Sequence, residues 1–114
     1  MPKFMSVVKF KVKLGEEKNF IDSMKKFQMP DGVIFRKVIE LGDNCYCSVM
    51  EWVNEEALVN ARPQMIAFLD TIRNILEKIN EDLGVTDPTS GSLIIDQRGL
   101  VTEPGKTISG KIKV

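Results

Sequence analysis

Histidine is absent from all 114 residues. Its absence removes the commonest general base, the side chain that titrates near neutral pH and the commonest metal ligand. Cysteine is scarce, with Cys45 and Cys47 alone in the chain. Two apart in an apolar, β-like stretch, they point the same way at a separation of about 6–7 Å, the edge of disulfide reach. Free thiols packed in a core, in a reducing cytosol, are the simpler reading. Two thiolates with no histidine cannot complete a tetrahedral zinc site, so no metal is expected.

Net charge is also missing, since sixteen Lys plus Arg cancel sixteen Asp plus Glu. No global field draws the chain to nucleic acid or to an anionic membrane, and neither is an expected partner. Long apolar runs do not occur near the start, where Lys9, Lys11 and Lys13 interrupt the pattern. Neither a signal peptide nor a membrane span is therefore expected, which points to a cytoplasmic protein. The remaining composition, 43% hydrophobic and 28% charged, suits one folded domain.

From Phe4 to Leu14 apolar residues alternate with lysines, which predicts a strand. After Gly15, acids open a segment in which Phe20, Met24 and Phe27 recur at helical spacing, and Met29-Pro30-Asp31-Gly32 stops it. Val33 to Leu41 and Cys45 to Trp52 read as two strands of a hairpin around Gly42-Asp43-Asn44. A turn centred on Gly42-Asp43 puts Ile34, Arg36, Val38 and Glu40 on one face with Cys45, Cys47, Val49 and Glu51. Asn54 then caps a helical pattern that runs from Leu58 to about Asp82, with Pro63 dividing a short first segment from a longer second one. Asp87-Pro88-Thr89-Ser90-Gly91 reads as a turn, and Ser92 to Asp96 as a last short strand.

The order β-α-β-β-α-β predicts an α+β, ferredoxin-like fold over residues 1–96, a four-stranded antiparallel sheet with two helices on one face. Residues 97–114 form an extension that is either without structure or an extra strand or arm on a dimer partner, given one-sided Ile108, Ile112 and Val114. The strands are apolar on both sides, so the face without helices predicts a homodimer packed sheet against sheet.

The stretch Glu51-Trp52-Val53-Asn54-Glu55-Glu56-Ala57-Leu58 resembles the Glu-Trp-x-x-x-Glu-Ala-Leu junction of dimeric α/β-barrel proteins of the antibiotic-biosynthesis-monooxygenase superfamily. The resemblance covers roughly residues 4–96. It implies a dimeric barrel and oxygen chemistry on a small aromatic or quinol compound without a cofactor. Relatives often carry a histidine soon after the Ala-Leu pair, where this chain reads Val59-Asn60-Ala61-Arg62-Pro63. Haem-degrading members bind iron through a histidine, so neither haem nor another cofactor is expected here.

Such chemistry needs an acceptor that favours the phenolate, a dry pocket and polar groups that hold the developing anion. The candidate catalytic residues are Trp52, Asn60 and Glu51, with Glu40 a further possible base. Tyr46, Arg62 and Phe68 are the candidate substrate-binding residues. Against this stands a packing role for Trp52, solvation for Asn60 and Arg62, and cross-strand pairing of Arg36 with Glu51 or Glu40 on a dimer-facing sheet. Two other functional classes remain open: a non-catalytic binder of small hydrophobic molecules, and a structural dimer whose cleft Phe20, Phe27, Phe68 and Ile72 fill.

Overall fold

The computed structural model describes residues 2–99. Four strands, β1 (Phe4–Lys11), β2 (Val33–Gly42), β3 (Cys45–Trp52) and β4 (Thr86–Ser92), form one sheet in the order β2-β3-β1-β4. All three pairings are antiparallel. Helices α1 (Glu17–Lys25) and α2 (Glu55–Ile72) complete the expected ferredoxin-like βαββαβ order. The extension from residue 97 lies, beyond Gly99, outside the described residues.

Strand β1 forms as its alternation predicts. Phe4, Ser6 and Phe10 are buried on the helix side, while Lys9 and Lys11 are exposed. In α1 the buried residues are Phe20 and Met24, four apart on one stripe. The side chain of Asn54 caps α2 by accepting a hydrogen bond from the backbone N–H of Ala57 at 2.9 Å.

Several expectations are corrected. The hairpin turn centres on Asp43-Asn44, whose φ angles of 52° and 60° are the left-handed pair that a two-residue type I′ turn requires. Register irregularities between Val33 and Phe35, and between Glu40 and Gly42, then shift the faces. Arg36, Val38 and Glu40 pair with Met50, Ser48 and Tyr46 on the helix side, while Phe35 and Ile39 join Glu51 and Cys47 on the open side. Arg36 and Glu51 are therefore on opposite faces and cannot pair.

Pro63 does not divide α2, which runs unbroken from Glu55 to Ile72. Pro63 and Val59 both lie on the exposed side, where water can serve the carbonyl that proline leaves without a helical donor. The helix also ends earlier than its periodicity suggests. A single 3-10 turn, Arg73–Ile75, leads into extended chain at Leu76. There the end of β1 captures it: Lys13 N–H donates to Ile75 C=O at 2.9 Å and Glu77 N–H to Lys11 C=O at 2.7 Å. Leu76 is buried opposite Val12, but Ile79 and Leu83 are exposed.

The last strand is Thr86–Ser92, not Ser92 to Asp96. Pro88 is compatible with it because β4 is an edge strand, where a missing N–H needs no ladder partner. Ile94 and Ile95 are exposed.

The core is divided. One buried cluster gathers Phe10, Val12, Phe20, Met24, Tyr46, Ile72 and Leu76. A second gathers Phe4, Met50, Trp52, Leu58 and Ala61. Space is left where the two meet.

Candidate functional site

That space is a cavity of about 280 Å³, bounded by the sheet, the C-terminal end of α1 and the middle of α2. The sheet contributes Val8, Phe10, Ser48, Met50, Thr86 and Pro88, and the helices contribute Met24, Met65, Phe68, Leu69 and Ile72. Phe27 and Phe68 meet edge to face in its wall, with ring centroids 4.9 Å apart. An apolar cavity of about 150 Å³ holds a benzene, so this one has room for a fused two-ring body. The filling by Phe20, Phe27, Phe68 and Ile72 that a purely structural dimer would require does not close the cleft: Phe27, Phe68 and Ile72 stand in its wall.

Polar groups are few. Ser48 and Thr86 offer hydroxyls, Arg36 and Arg62 offer guanidinium groups, and no carboxylate is among the described lining residues. Arg36 is half-buried. Its Nη1 donates to the Met24 carbonyl at 3.0 Å, and its guanidinium carbon lies 4.5 Å from the Phe27 ring centroid. Burial lowers the Arg36 pKa from its usual value, and the group remains a cation at neutral pH. Arg62 stands on the exposed side of α2 at the cavity edge. Among the described residues neither arginine forms an ion pair.

The residues singled out from the sequence are dispersed. Arg62 and Phe68 line the cavity; Trp52, Asn60, Glu51 and Tyr46 are not among its lining residues. Trp52 is wholly buried in the second cluster, where its indole Nε1 donates to Ser6 Oγ at 2.9 Å. Asn60 is exposed. Glu51 lies on the open face with Lys3 Nζ 3.7 Å from its Oε2, too long for a hydrogen bond, and that buried oxygen has no hydrogen-bond partner among the described residues.

Tyr46 packs on Phe20 with ring centroids 4.8 Å apart, and its hydroxyl donates to Glu40 Oε2 at a long 3.5 Å. Burial first, and the carboxylates of Glu40 and Glu17 second, push its pKa up. Tyr46 and Glu40 line a neighbouring groove that shares Met24 and Arg36 with the cavity.

The Glu51 to Leu58 motif thus has a structural account. Its first two residues alternate across the sheet, Asn54 caps the helix, Glu55 and Glu56 complement its dipole, and Leu58 enters the core. Reasoning from the sequence missed Arg36, because only the irregular register turns it toward the cavity. Met24, Met65 and Leu69 were legible as apolar helix faces, but nothing in their spacing separates a cavity wall from a filled core.

No protein-family model matches the sequence, and no curated protein matches it. Solved structures do match its fold. A cofactor-independent oxygenase, SnoaB from Streptomyces nogalater, aligns with a TM-score of 0.63 at 15% identity over 90% of this chain and 100% of that one. A protein from Chloroflexus aurantiacus J-10-fl, described as an antibiotic biosynthesis monooxygenase, aligns with a TM-score of 0.66 at 9% identity over 84% of this chain and 97% of that one. A dimeric ferredoxin-like protein from an uncultured marine organism aligns with a TM-score of 0.67 at 11% identity over 88% of this chain and 95% of that one. At these identities the likeness is one of fold. The chain has the ferredoxin-like fold found in antibiotic-biosynthesis-monooxygenase-like proteins.

Proposed function

We propose that the cavity between sheet and helices is the site of a cofactor-independent monooxygenase acting on a small phenolic or quinol aromatic. The observation that carries this reading is the cavity itself: open, walled by aromatic and aliphatic side chains, and provided with two guanidinium groups that form no ion pair among the described residues. An apolar wall limits the water around a reactive carbanion-like substrate, and a guanidinium favours the phenolate over the phenol without a protein base. Phe68 and Arg62 act on the substrate directly. Trp52 acts at one remove, by holding β1 to β3 behind Met50.

The proposed reaction uses electrons from the substrate alone. With 1-naphthol, one oxygen atom of dioxygen becomes the carbonyl at the para carbon and the other leaves as water with the two hydrogens lost. The product is 1,4-naphthoquinone, and no external reductant enters the balance. Incubation with 1-naphthol under isotopically labelled dioxygen should give quinone with one labelled oxygen, and Ile66→Trp, which crowds the cavity edge, should suppress it. No oxygen uptake above the protein-free rate across a panel of phenols and quinols would refute the reading. A second reading, a binder without chemistry, is favoured by the lack of a carboxylate among the described lining residues.

The same proposal includes a homodimer formed through the open sheet face. Met5, Val7, Phe35, Ile39 and Val49 present apolar side chains there, and a monomer rarely leaves such a surface in water. Oε2 of Glu51 on this face, without a hydrogen-bond partner among the described residues, would also gain a donor from a second copy.

A further inference from the structure

We infer that the cavity selects an acidic aromatic, a flat apolar body bearing one anionic oxygen group that Arg36 and Arg62 hold from two sides. The inference rests on the cavity being the ligand site and adds the charge of what it takes. Four observations carry it. Both arginines line the same cavity, one from β2 and the other from α2. Among the described residues neither is ion-paired, and no carboxylate lines the cavity to neutralise them. Arg36 is held in place rather than swinging free, by the Met24 carbonyl and by the Phe27 ring. A guanidinium carries five N–H donors; Nη1 directs one to Met24 O and Nη2 one toward Met24 Sδ at 3.7 Å, so three have no partner among the described residues.

The surroundings then fix the class. A multiply charged phosphate or sulfate would be poorly served by a wall of methionine, phenylalanine and leucine. A neutral aromatic would leave the half-buried Arg36 cation facing an apolar surface with its hydration further disturbed. One carboxylate or phenolate on an aromatic body matches both the charges and the wall, and a guanidinium presents a fork that suits a carboxylate.

The test is calorimetric titration of the full-length protein with 1-naphthoate and, separately, with its neutral counterpart 1-naphthalenemethanol. The acid should bind about tenfold or more tighter, the advantage expected of one charge-assisted hydrogen bond. Arg62→Met, an exposed substitution that leaves the fold intact, should lower the acid's affinity by about tenfold and leave the alcohol's nearly unchanged. Arg36→Met should do the same, and if it unfolds the end of α1, Arg62→Met still decides the matter. Arg98→Met, off the cavity, should change neither affinity.

Equal affinity for acid and alcohol, or tighter binding of the alcohol, overturns the inference while leaving an apolar binding cleft. A loss in Arg98→Met as large as that in Arg62→Met also overturns it, since the effect would then be one of overall charge. Failure of both compounds to bind overturns the inference together with the reading of the cavity as a ligand site.

Discussion

Ser6→Ala removes a single oxygen atom from the interior, and its effect is predictable because the partner has nowhere else to turn. Trp52 is 0% exposed and its indole N–H donates to Ser6 Oγ at 2.9 Å, so the variant leaves a buried donor without an acceptor. Such an orphan costs about 1–3 kcal/mol, against about 1 kcal/mol for the net value of an ordinary hydrogen bond. At roughly 4 °C per kcal/mol for a chain of this size, the melting temperature should fall by about 4–12 °C. Trp52→Phe should destabilise by about 2–4 kcal/mol, because it also leaves a void where the larger ring stood. The double variant decides the mechanism. Once the indole is gone, losing the Ser6 hydroxyl removes an unsatisfied group instead of creating one, so the two effects should fall short of their sum by about 1–2 kcal/mol. Urea denaturation at one fixed protomer concentration reads all four proteins. Additive effects, or a Ser6→Ala variant as stable as the parent, would refute the account of Trp52 as a strand anchor and return it to consideration as a group acting on substrate.

Three further outcomes are expected. Gly32 adopts a φ of +88°, and a Cβ placed there would meet Ala57 Cβ at 2.6 Å, so Gly32→Ala should destabilise by roughly 1–3 kcal/mol in the same urea assay; an unchanged midpoint would contradict the close approach of the turn before β2 to α2. Val49→Lys places a charge in the middle of the open face, and should yield a folded monomer in sedimentation with unaltered far-ultraviolet circular dichroism. A persistent dimer would refute assembly through the sheet. Tyr46 is the only tyrosine, so ultraviolet absorbance reports it alone, and it should ionise above pH 10 in the folded protein. Because its folded pKa is raised, the native state holds the proton more tightly: the contribution to stability is present in full below the unfolded pKa and is lost as pH rises through the folded one. Ionisation at or below pH 10 without unfolding would contradict the burial.

The order of elements could be read from the chain because local signals agreed with the final packing. Phe4 to Lys11 alternates and is a strand; Asn54 is a capping residue and does cap. The errors arose where long-range contact overrode local pattern. Ile79 and Leu83 continue a helical spacing that the chain does not use, because the end of β1 draws Ile75 to Glu77 into extended pairing. Pro88 and Gly91 resemble a turn, and only their place on a sheet edge makes them a strand. Arg62 and Phe68 were legible because α2 forms where its periodicity predicts, whereas Arg36 depended on a register that one residue can reverse.

That one residue links the fold to the site. With Val33 opposite Trp52, an even ladder would set Ile34 against Glu51 and Arg36 against Val49, on the open face. The irregularity between Val33 and Phe35 adds a residue to β2, so Phe35 meets Glu51 and Arg36 meets Met50 instead. A guanidinium that would have stood among solvent and a nearby carboxylate is thereby turned under α1 and partly desolvated. Contact with the helix's terminal carbonyl and with Phe27 offsets some of that loss, but an uncharged side chain of similar length would fill the place with no loss to offset. Deleting Ile34 tests the connection directly. It should remove the irregularity while keeping Val33 opposite Trp52 and Arg36 opposite Met50, so that Arg36 stays on the helix side and the preference for 1-naphthoate over 1-naphthalenemethanol is retained. Loss of the preference in a folded deletion variant would show that the face on which Arg36 stands is not set by its register against Met50.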